Sequence, residues 1–510
     1  MQLSDHSLRQ IDEAYLERLG DEALRSLSAK LLLDLKEARE RLSQTSRNSS
    51  LPPSRQAPWE KRGAADVLPQ REANPQKSVA AQTLAQAGDD APQENKAAPQ
   101  VKPMQRKRAG KVKGSPGYGR AAAQRVDAVE SHAVVRCAGC GSSLAGQAGQ
   151  AYTGYYEVDW VGQGTGWAVQ ITKHLFEEST CECGHVSRAQ PFRSVEEEVE
   201  IGGFRLVGAG LASLIVALSK RYRLSQARIQ EFLHDWLEVR ISTGAIYESL
   251  RETATIVAAL EDELVEAIEQ SELLHADETP WPQQGTSSLW LWVFVTSQTV
   301  LYYVSHRGQE LARNLLAGFA GVLMSHGWQA YRWMQRRLRC WAHLKRKAQG
   351  LADSLNPEAQ GFGQGVLALC NDLQEAVYKA RAGPAGVSLR PEWAQRLQTF
   401  RARCEAMKGH SHTKTHALAV EFLNDWEAIF CVLENPFWPL TNNEAERALR
   451  HWVILRQISH GTRTPQGSRH FALLASVIDT CRRRGHSPWQ YLQTAITRRR
   501  QGLALLPLPA

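Results

Sequence analysis

Four short segments in the middle of the chain, each rich in apolar, aromatic or β-branched residues, constrain the fold most strongly. Their length and composition are typical of strands, and they span residues 273–281, 289–295, 300–304 and 321–325. The first delivers Asp277 and is expected to turn at Pro280, and the last ends at His326. The sequence therefore predicts a sheet with polar side chains at the ends of two strands.

A second acidic position lies far downstream, where residues 440–447 open a predicted helix that carries Glu444 and Glu446. On a helix these two side chains point about 200° apart, so only one of them faces the sheet. Glu446 shares a face with Asn442 and is preferred, while Glu278 and Glu444 are competing acids. Two acidic positions and His326 indicate a metal-dependent phosphoryl-transfer centre in a ribonuclease-H-like α/β core.

Length, charge and cysteine content limit the classes of protein to which this chain can belong. A chain of 510 residues is expected to hold several domains, and a net charge of +8 favours an acidic partner such as DNA. The longest apolar stretch, residues 206–218, is too short to span a bilayer, and the N-terminal sequence lacks the features of a signal peptide. Nine cysteines, an odd number, suit a reducing compartment. We therefore expect a cytoplasmic protein without a membrane partner.

The N-terminal part divides into a helix and a linker. Residues 1–50 are expected to form a leucine-rich helix, and its apolar seam falls on Leu24, Leu31, Leu35, Ala38 and Leu42. Such a seam is compatible with a dimerising coiled coil or with a single amphipathic helix that packs on its own domain. Residues 51–125 are rich in Ala, Gln, Pro and basic residues and predict a disordered basic linker.

Two pairs of cysteines predict a zinc ribbon with a β insert across residues 126–195. The pairs are Cys137 with Cys140 and Cys181 with Cys183. Four thiolates on two tight turns suit tetrahedral Zn²⁺ and leave no open position, so this zinc is expected to be structural. His174 and His185 are rival ligands.

Residues 196–270 predict a helical segment before the sheet. Apolar spacing indicates helices over residues 204–218, 225–237 and 242–269, with Ser225 and Ser242 as N-caps. The helix, turn and helix in the middle are compatible with a helix-turn-helix that contacts DNA. A plain supporting bundle is the alternative.

The remaining boundaries follow from the same features. Residues 271–350 form the first part of the predicted core, residues 351–438 a helical insert, and residues 439–510 the Glu446 helix with the C-terminal helices. Cys340 and Trp341 are expected to be core residues at the start of a basic helix. The candidates for contact with the DNA backbone are Lys345, Arg346, Arg447, Arg450 and Arg456. Ordinary surface charge is the alternative for Arg447 and Arg450.

An ordered set of motifs carries a family resemblance. The set comprises the N-terminal helix ending in Pro52-Pro53-Ser54, the cysteine pairs, and residues 277–279, 325–331, 340–343, 442–450, 456–462 and 487–492. The chain resembles the large transposase of the IS66 family of bacterial insertion sequences. The resemblance implies a DDE transposase that cuts element ends and joins their 3′ hydroxyls to target DNA. Asp277 would be the first metal-binding Asp and Glu446 the closing Glu.

The resemblance also implies cofactors and partners. These are Mg²⁺ or Mn²⁺ in addition to structural Zn²⁺, double-stranded DNA, a homodimer or larger assembly on paired ends, accessory proteins of the same element, and association with the bacterial nucleoid.

One position departs from the pattern, because His326 stands where the family has its second Asp. Imidazole brings no negative charge, and Mg²⁺ strongly prefers oxygen ligands. Three interpretations of His326 compete. It is a metal ligand in an altered but working site, it marks a copy that is catalytically dead but still binds DNA, or it is a deliberate change or a lesion that traps a complex. Impaired chemistry is the prediction. A non-catalytic DNA-binding protein, such as a repressor of its own element, is the alternative function.

Overall fold

The predicted helices, β insert and sheet together define a multidomain α+β class, and the chain does fold as a mixture of helices and sheets. The computed structural model describes residues 11–42, 125–163, 166–197, 199–383 and 387–510. Residues 51–124 of the predicted linker lie outside the described residues. None of the described helices is both long enough and apolar enough to cross a membrane.

The strands fall into two groups along the chain. The first group contains β1 (Ala128–His132), β2 (Gln150–Gln163), β3 (Gly166–Thr180), β4 (Val186–Arg188), β5 (Arg193–Glu196) and β6 (Val199–Gly202). The second group contains β7 (Leu273–Pro280), β8 (Leu289–Val295), β9 (Val300–His306), β10 (Val322–Ser325) and β11 (Arg337–Arg339). The second group therefore covers all four segments that the sequence predicts as strands.

Helices precede, interrupt and follow this second group. Before it lie α1 (Glu13–Glu17), α2 (Asp21–Leu42), α3 (Ala209–Val216), α4 (Gln226–Leu237), α5 (Thr243–Val257) and α6 (Glu261–Glu269). Within and after it lie α7 (Gln309–Leu315), α8 (Trp341–Ala352), α9 (Pro357–Arg381), α10 (Arg390–Met407), α11 (Thr413–Asn424), α12 (Trp426–Phe430), α13 (Asn443–Ser459), α14 (Pro465–Arg483) and α15 (Pro488–Arg500).

The second group forms a five-stranded sheet in the order β11-β10-β7-β8-β9. Strands β11, β10 and β7 run parallel, whereas β8 is antiparallel to both β7 and β9. Strand β7 ends at Pro280, where the sequence predicts the turn, so Asp277 lies three residues before the end of the strand. Its pairing with β10 stops at His275, but its pairing with β8 extends to Pro280 opposite Trp290. Asp277 therefore lies where β7 is still paired with β8 but no longer paired with β10.

Both faces of this sheet are buried, which explains the density of apolar residues in β8. Leu291, Val293 and Val295 pack against Trp452 of α13 and Phe471 of α14. The alternating residues Trp292 and Phe294 point to the opposite face, where they pack with residues of α5, α6 and α14. Because side chains alternate along a strand, a continuous apolar run is typical of a strand that is covered on both sides.

The helices of residues 196–270 begin and end differently from the prediction in two places. Residues 204–208 do not join α3, because the amide of Val158 in β2 donates to the carbonyl of Leu206 and the amide of Gly208 donates back to the carbonyl of Val158. The predicted helix over 242–269 is divided into α5 and α6 around residues 258–260. The two predicted N-caps are confirmed, since the Ser225 and Ser242 hydroxyls accept backbone amides of α4 and α5.

Helix α2 contacts the chain near its C-terminal end and leaves much of its apolar seam exposed. The Ser354 hydroxyl donates to Glu40, and His412 Nε2 lies 3.4 Å from the same carboxylate. Leu35 is 55% exposed and Leu42 is 86% exposed. A coiled coil with a second copy stays a prediction.

A buried ion pair between α5 and α15 provides a test of this packing. Arg500 is 4% exposed and donates at 2.8 and 2.9 Å to the two oxygens of Glu252, which is 1% exposed. The Glu252→Ala variant leaves this guanidinium buried without its counterion, so we expect the free energy of unfolding to fall by about 3–5 kcal/mol. Urea titration followed by circular dichroism measures the loss.

The control is Glu231→Ala, which removes an exposed partner of Arg228 within α4. We expect a loss below about 1 kcal/mol there, because water already screens an exposed pair. Equal unfolding midpoints for the two variants would contradict the structural role of Arg500 and Glu252.

Candidate catalytic and metal-binding sites

The structure brings Asp277, His326 and Glu446 together at one edge of the five-stranded sheet. Asp277 lies on β7, His326 directly follows β10, and Glu446 lies in the first turn of α13. The Nε2 atom of His326 is 3.5 Å from Oδ2 of Asp277 and 3.4 Å from Oε1 of Glu446. Because β7 and β10 are parallel neighbours, residues that follow their paired segments lie side by side.

The turn after β10 is shaped by a buried arginine. Gly327 has a φ of +89°, and a Cβ atom at this position would lie 1.9 Å from Cζ of Arg339. Glycine therefore lets the backbone turn closely over that guanidinium. Arg339 is itself held by Asp425 and by Glu421, whose carboxylate oxygen lies 2.5 Å away. This packing fixes the direction in which His326 leaves the strand.

Asn442 fixes the start of α13 against the sheet. Its side chain is fully buried, donates from Nδ2 to the carbonyl of Ala276 at 2.8 Å, and places Oδ1 3.0 Å from Nδ1 of His275. Its backbone amide donates to the sulfur of Cys340 at 3.3 Å. Three elements of the site are therefore tied to one residue, four positions before Glu446.

The competing acids point elsewhere. Glu444 accepts hydrogen bonds from Arg447 at 3.0 Å and from Arg483 at 2.9 Å. Glu278, the neighbour of Asp277, accepts from Arg307 at 2.7 Å. Burial, followed by the charge of Asp277, raises the pKa of the Glu278 carboxyl. Successive residues of a strand face opposite sides, which separates Glu278 from the side chain of Asp277.

Two further side chains, Cys340 and His343, lie at this site. One ligand atom from each of His326, Cys340, His343 and Glu446 falls within 4.8 Å of all the others. Cys340 precedes α8 and His343 lies in its first turn, and residues three apart share a helix face. The Cys-x-x-His spacing is the sequence signal that could have identified these two residues as site residues. It was missed because a buried cysteine is usually an ordinary core residue. Cys340 is indeed buried, as predicted, and it also faces the site.

The charges at the site act strongly on one another. Burial lowers the pKa of His326, but the interactions with Asp277 and with Cys340 together outweigh it and raise the value to about 10. Burial lowers the pKa of His343 to about 2, with contributions from His326 and Arg346. Against the effect of burial, His326 lowers the pKa of the Cys340 thiol. The site thus favours a positive charge between the carboxylates of Asp277 and Glu446.

The five basic candidates have different surroundings. Arg346 lies at the site, with one guanidinium nitrogen 3.0 Å from Nε2 of His343 and 3.9 Å from Oε1 of Glu446. Lys345 donates to Gln374 at 3.0 Å. Arg456 donates to Thr279 and to the carbonyl of Pro280, on the strand of Asp277. Arg447 and Arg450 are both exposed on α13.

The four predicted cysteines meet at the base of the hairpin formed by β2 and β3. The sulfur of Cys137 lies 3.7 Å from that of Cys183, and the sulfur of Cys140 lies 3.6 Å from that of Cys181. Tetrahedral Zn–S bonds of about 2.3 Å place sulfurs about 3.8 Å apart, so the four residues fit Zn²⁺. The rival ligand His174 lies beside His132 instead, with ring nitrogens 3.0 Å apart.

The chain matches a known protein family over about half of its length. The Transposase IS66 family matches residues 205–470, a span that contains Asp277, His326 and Glu446. This match covers more than half of the 510 residues. The chain therefore belongs to the IS66 family of transposases.

Similar proteins occur in Sinorhizobium fredii (strain NBRC 101917 / NGR234). The uncharacterized protein y4qI is 25% identical over 306 residues, which cover 53% of this chain and 55% of the relative. The uncharacterized protein y4hP is 24% identical over 274 residues, covering 46% of this chain and 50% of the relative. The chain thus spans about half the length of these curated relatives.

Replacing one cysteine tests the four-cysteine site. We expect Cys181→Ser to lower the zinc content of the purified protein by one ion per chain, because the hydroxyl is a poor substitute for a thiolate ligand. Elemental analysis after dialysis measures the content. The control is Cys431→Ser, at a half-buried cysteine outside the cluster, which should keep the zinc content of the parent. Equal contents for the two variants would contradict the assignment.

Proposed function

We propose that the chain is a DNA transposase of a bacterial insertion sequence, which cuts the element ends and joins their 3′ hydroxyls to target DNA. The observation that carries the proposal is the convergence of Asp277 and Glu446 on His326, within 3.5 Å, in a chain of this family. The strand order and directions of the five-stranded sheet support a ribonuclease-H-like core, in which acidic side chains meet at such an edge.

The rest of the chain supplies DNA contacts and support. We assign residues 126–195 to a zinc ribbon, 196–270 to a helical DNA-contacting segment, and 351–438 to a helical insert between the two halves of the core, 271–350 and 439–510. The net charge of +8 supports double-stranded DNA as the partner. A homodimer or larger assembly on paired ends, accessory proteins of the same element, and a place at the bacterial nucleoid complete the proposal.

The ligands at the catalytic edge do not fit a pair of Mg²⁺ ions. Two-metal phosphoryl transfer uses carboxylate oxygens that bridge and neutralise both cations. His326 offers a single nitrogen and no negative charge, and Mg²⁺ binds oxygen in preference to nitrogen or sulfur. We therefore propose that this copy is impaired with Mg²⁺, and that Mn²⁺, which tolerates imidazole better, supports more activity.

The alternative function is a catalytically inactive DNA-binding protein, such as a repressor of its own element. The position of His326 favours it, since a protonated imidazole between two carboxylates replaces the charge of a cation. Binding of element ends without cleavage is the expected behaviour of such a protein.

Restoring the acid tests the proposal. We expect His326→Asp to gain Mg²⁺-dependent cleavage and joining of DNA that carries the element ends. In that background, Asp277→Ala and Glu446→Ala should each lower the rate by at least about 10²- to 10³-fold, the usual cost of removing one group that stabilises charge in a transition state. Gel assays of strand cleavage and joining, with Mg²⁺ and then with Mn²⁺, measure these rates.

The matched control is Glu444→Ala in the same background. Its carboxylate pairs with Arg447 and Arg483 instead of facing His326, so most of the activity should remain. Loss in Glu444→Ala with full activity in Glu446→Ala would show that the wrong glutamate was assigned. Equal Mg²⁺-dependent cleavage by the parent chain and His326→Asp would overturn the proposed impairment.

A further inference from the structure

We propose that His326, Cys340, His343 and Glu446 form a binding site for one divalent transition cation of the zinc class. The inference rests on the proposed transposase site, because His326 and Glu446 belong to both. It changes the chemistry expected there. The catalytic edge of this chain would select a cation that prefers nitrogen and sulfur, in place of one of the oxygen-bound cations.

The distances are close to those of a four-coordinate site. Zn²⁺ bonds of about 2.0–2.3 Å in tetrahedral geometry place ligand atoms about 3.3–3.8 Å apart. Oε1 of Glu446 lies 3.4 Å from Nε2 of His326 and 3.9 Å from Nδ1 of His343, and all four ligand atoms lie within 4.8 Å of one another. Side-chain rotations that bring the most distant ligand atoms about 1 Å closer together would give the distances of a tetrahedral site.

Unpaired polar atoms provide an independent indication. Among the residues that the structure describes, both ring nitrogens of His326 and Oε1 of Glu446 are buried and have no hydrogen-bond partner of acceptable geometry. Buried polar atoms without partners are rare in native proteins and point to a bound water or ion that would satisfy them. These atoms belong to two of the four proposed ligands.

The ligand types decide the class of cation. Two imidazoles, one thiolate and one carboxylate form a set that suits Zn²⁺ or Co²⁺ and is poor for Mg²⁺. The backbone amide of Asn442 donates to the Cys340 sulfur at 3.3 Å, which stabilises the thiolate form that a metal requires. With four protein ligands the site has no open position, so the cation would hold α13 and α8 to the sheet without activating water.

Arg346 opposes the cation and therefore offers a directional test. Its guanidinium contacts both ring nitrogens of His343, at 3.1 and 3.0 Å, and lies 3.9 Å from Oε1 of Glu446. Binding requires this group to release His343. Removing its charge in Arg346→Gln should tighten binding of the cation, whereas a purely structural role of Arg346 would leave the affinity unchanged.

The experiment measures zinc bound by the full chain after chelation and dialysis against Zn²⁺. The parent should hold two ions per chain, one in the four-cysteine cluster and one at the catalytic edge. We expect Cys340→Ser and His343→Gln each to hold one, and the Cys137→Ser/Cys181→Ser double variant to hold one. Cys431→Ser, the control, should hold two. With Co²⁺, that double variant should keep a thiolate-to-metal absorption band that disappears when Cys340→Ser is added.

The outcomes separate this inference from the proposed function, because metal content is measured without DNA. A parent chain that holds a single zinc, lost in the Cys137→Ser/Cys181→Ser variant, overturns the inference. Retention of two ions in both Cys340→Ser and His343→Gln also overturns it. Two ions in the parent, together with no cleavage by His326→Asp, would sustain the metal site and refute the transposase chemistry. Circular dichroism identifies any variant that fails to fold, and the second ligand variant then decides.

Discussion

The hydrogen bonds of the buried Asn442 are the interaction on which the geometry of the candidate catalytic edge depends. A buried amide must find hydrogen-bond partners, and those of Asn442 lie on β7, at the carbonyl of Ala276 and the ring of His275. The backbone N–H of Asn442 donates to the sulfur of Cys340, which lies at the start of α8. The register of α13 against the sheet follows from these contacts, and Glu446 is carried to His326 as a result. The packing of Trp452 of α13 against β8 supports the same arrangement.

If His326 stands in place of an acid, as proposed, the exchange alters the balance of charge at this edge. Two carboxylates that face each other require positive charge between them, from cations or from a protonated side chain. An imidazole supplies that charge when protonated and becomes a metal ligand when neutral, so it supports two states that an aspartate does not. Cys340 and His343 become relevant only because of this exchange. Beside three carboxylates they would be peripheral, whereas beside an imidazole they complete a set of nitrogen and sulfur ligands.

Much of this arrangement follows from local sequence patterns. The apolar runs identified the strands, the serines before α4 and α5 marked their N-caps, and the 200° separation on a helix distinguished the directions of Glu444 and Glu446. The cysteine spacing likewise predicted a cluster that meets in space. Strand β11 was not predicted, because its three residues show no local strand pattern and the strand forms by pairing with β10. Cys340 and His343 were missed as neighbours of His326 because their approach depends on the parallel register of β10 and β11 and on the packing of α8, neither of which has a local signature.

The cation proposed at His326, Cys340, His343 and Glu446 is one that prefers nitrogen and sulfur ligands. Anomalous diffraction at the zinc absorption edge, from crystals of the full chain grown with Zn²⁺ and Mg²⁺ together, would show which cation occupies this site. We expect one peak among Cys137, Cys140, Cys181 and Cys183 and a second peak bounded by His326, Cys340, His343 and Glu446. A peak at the four cysteines alone, with Mg²⁺ between Asp277 and Glu446, would contradict it.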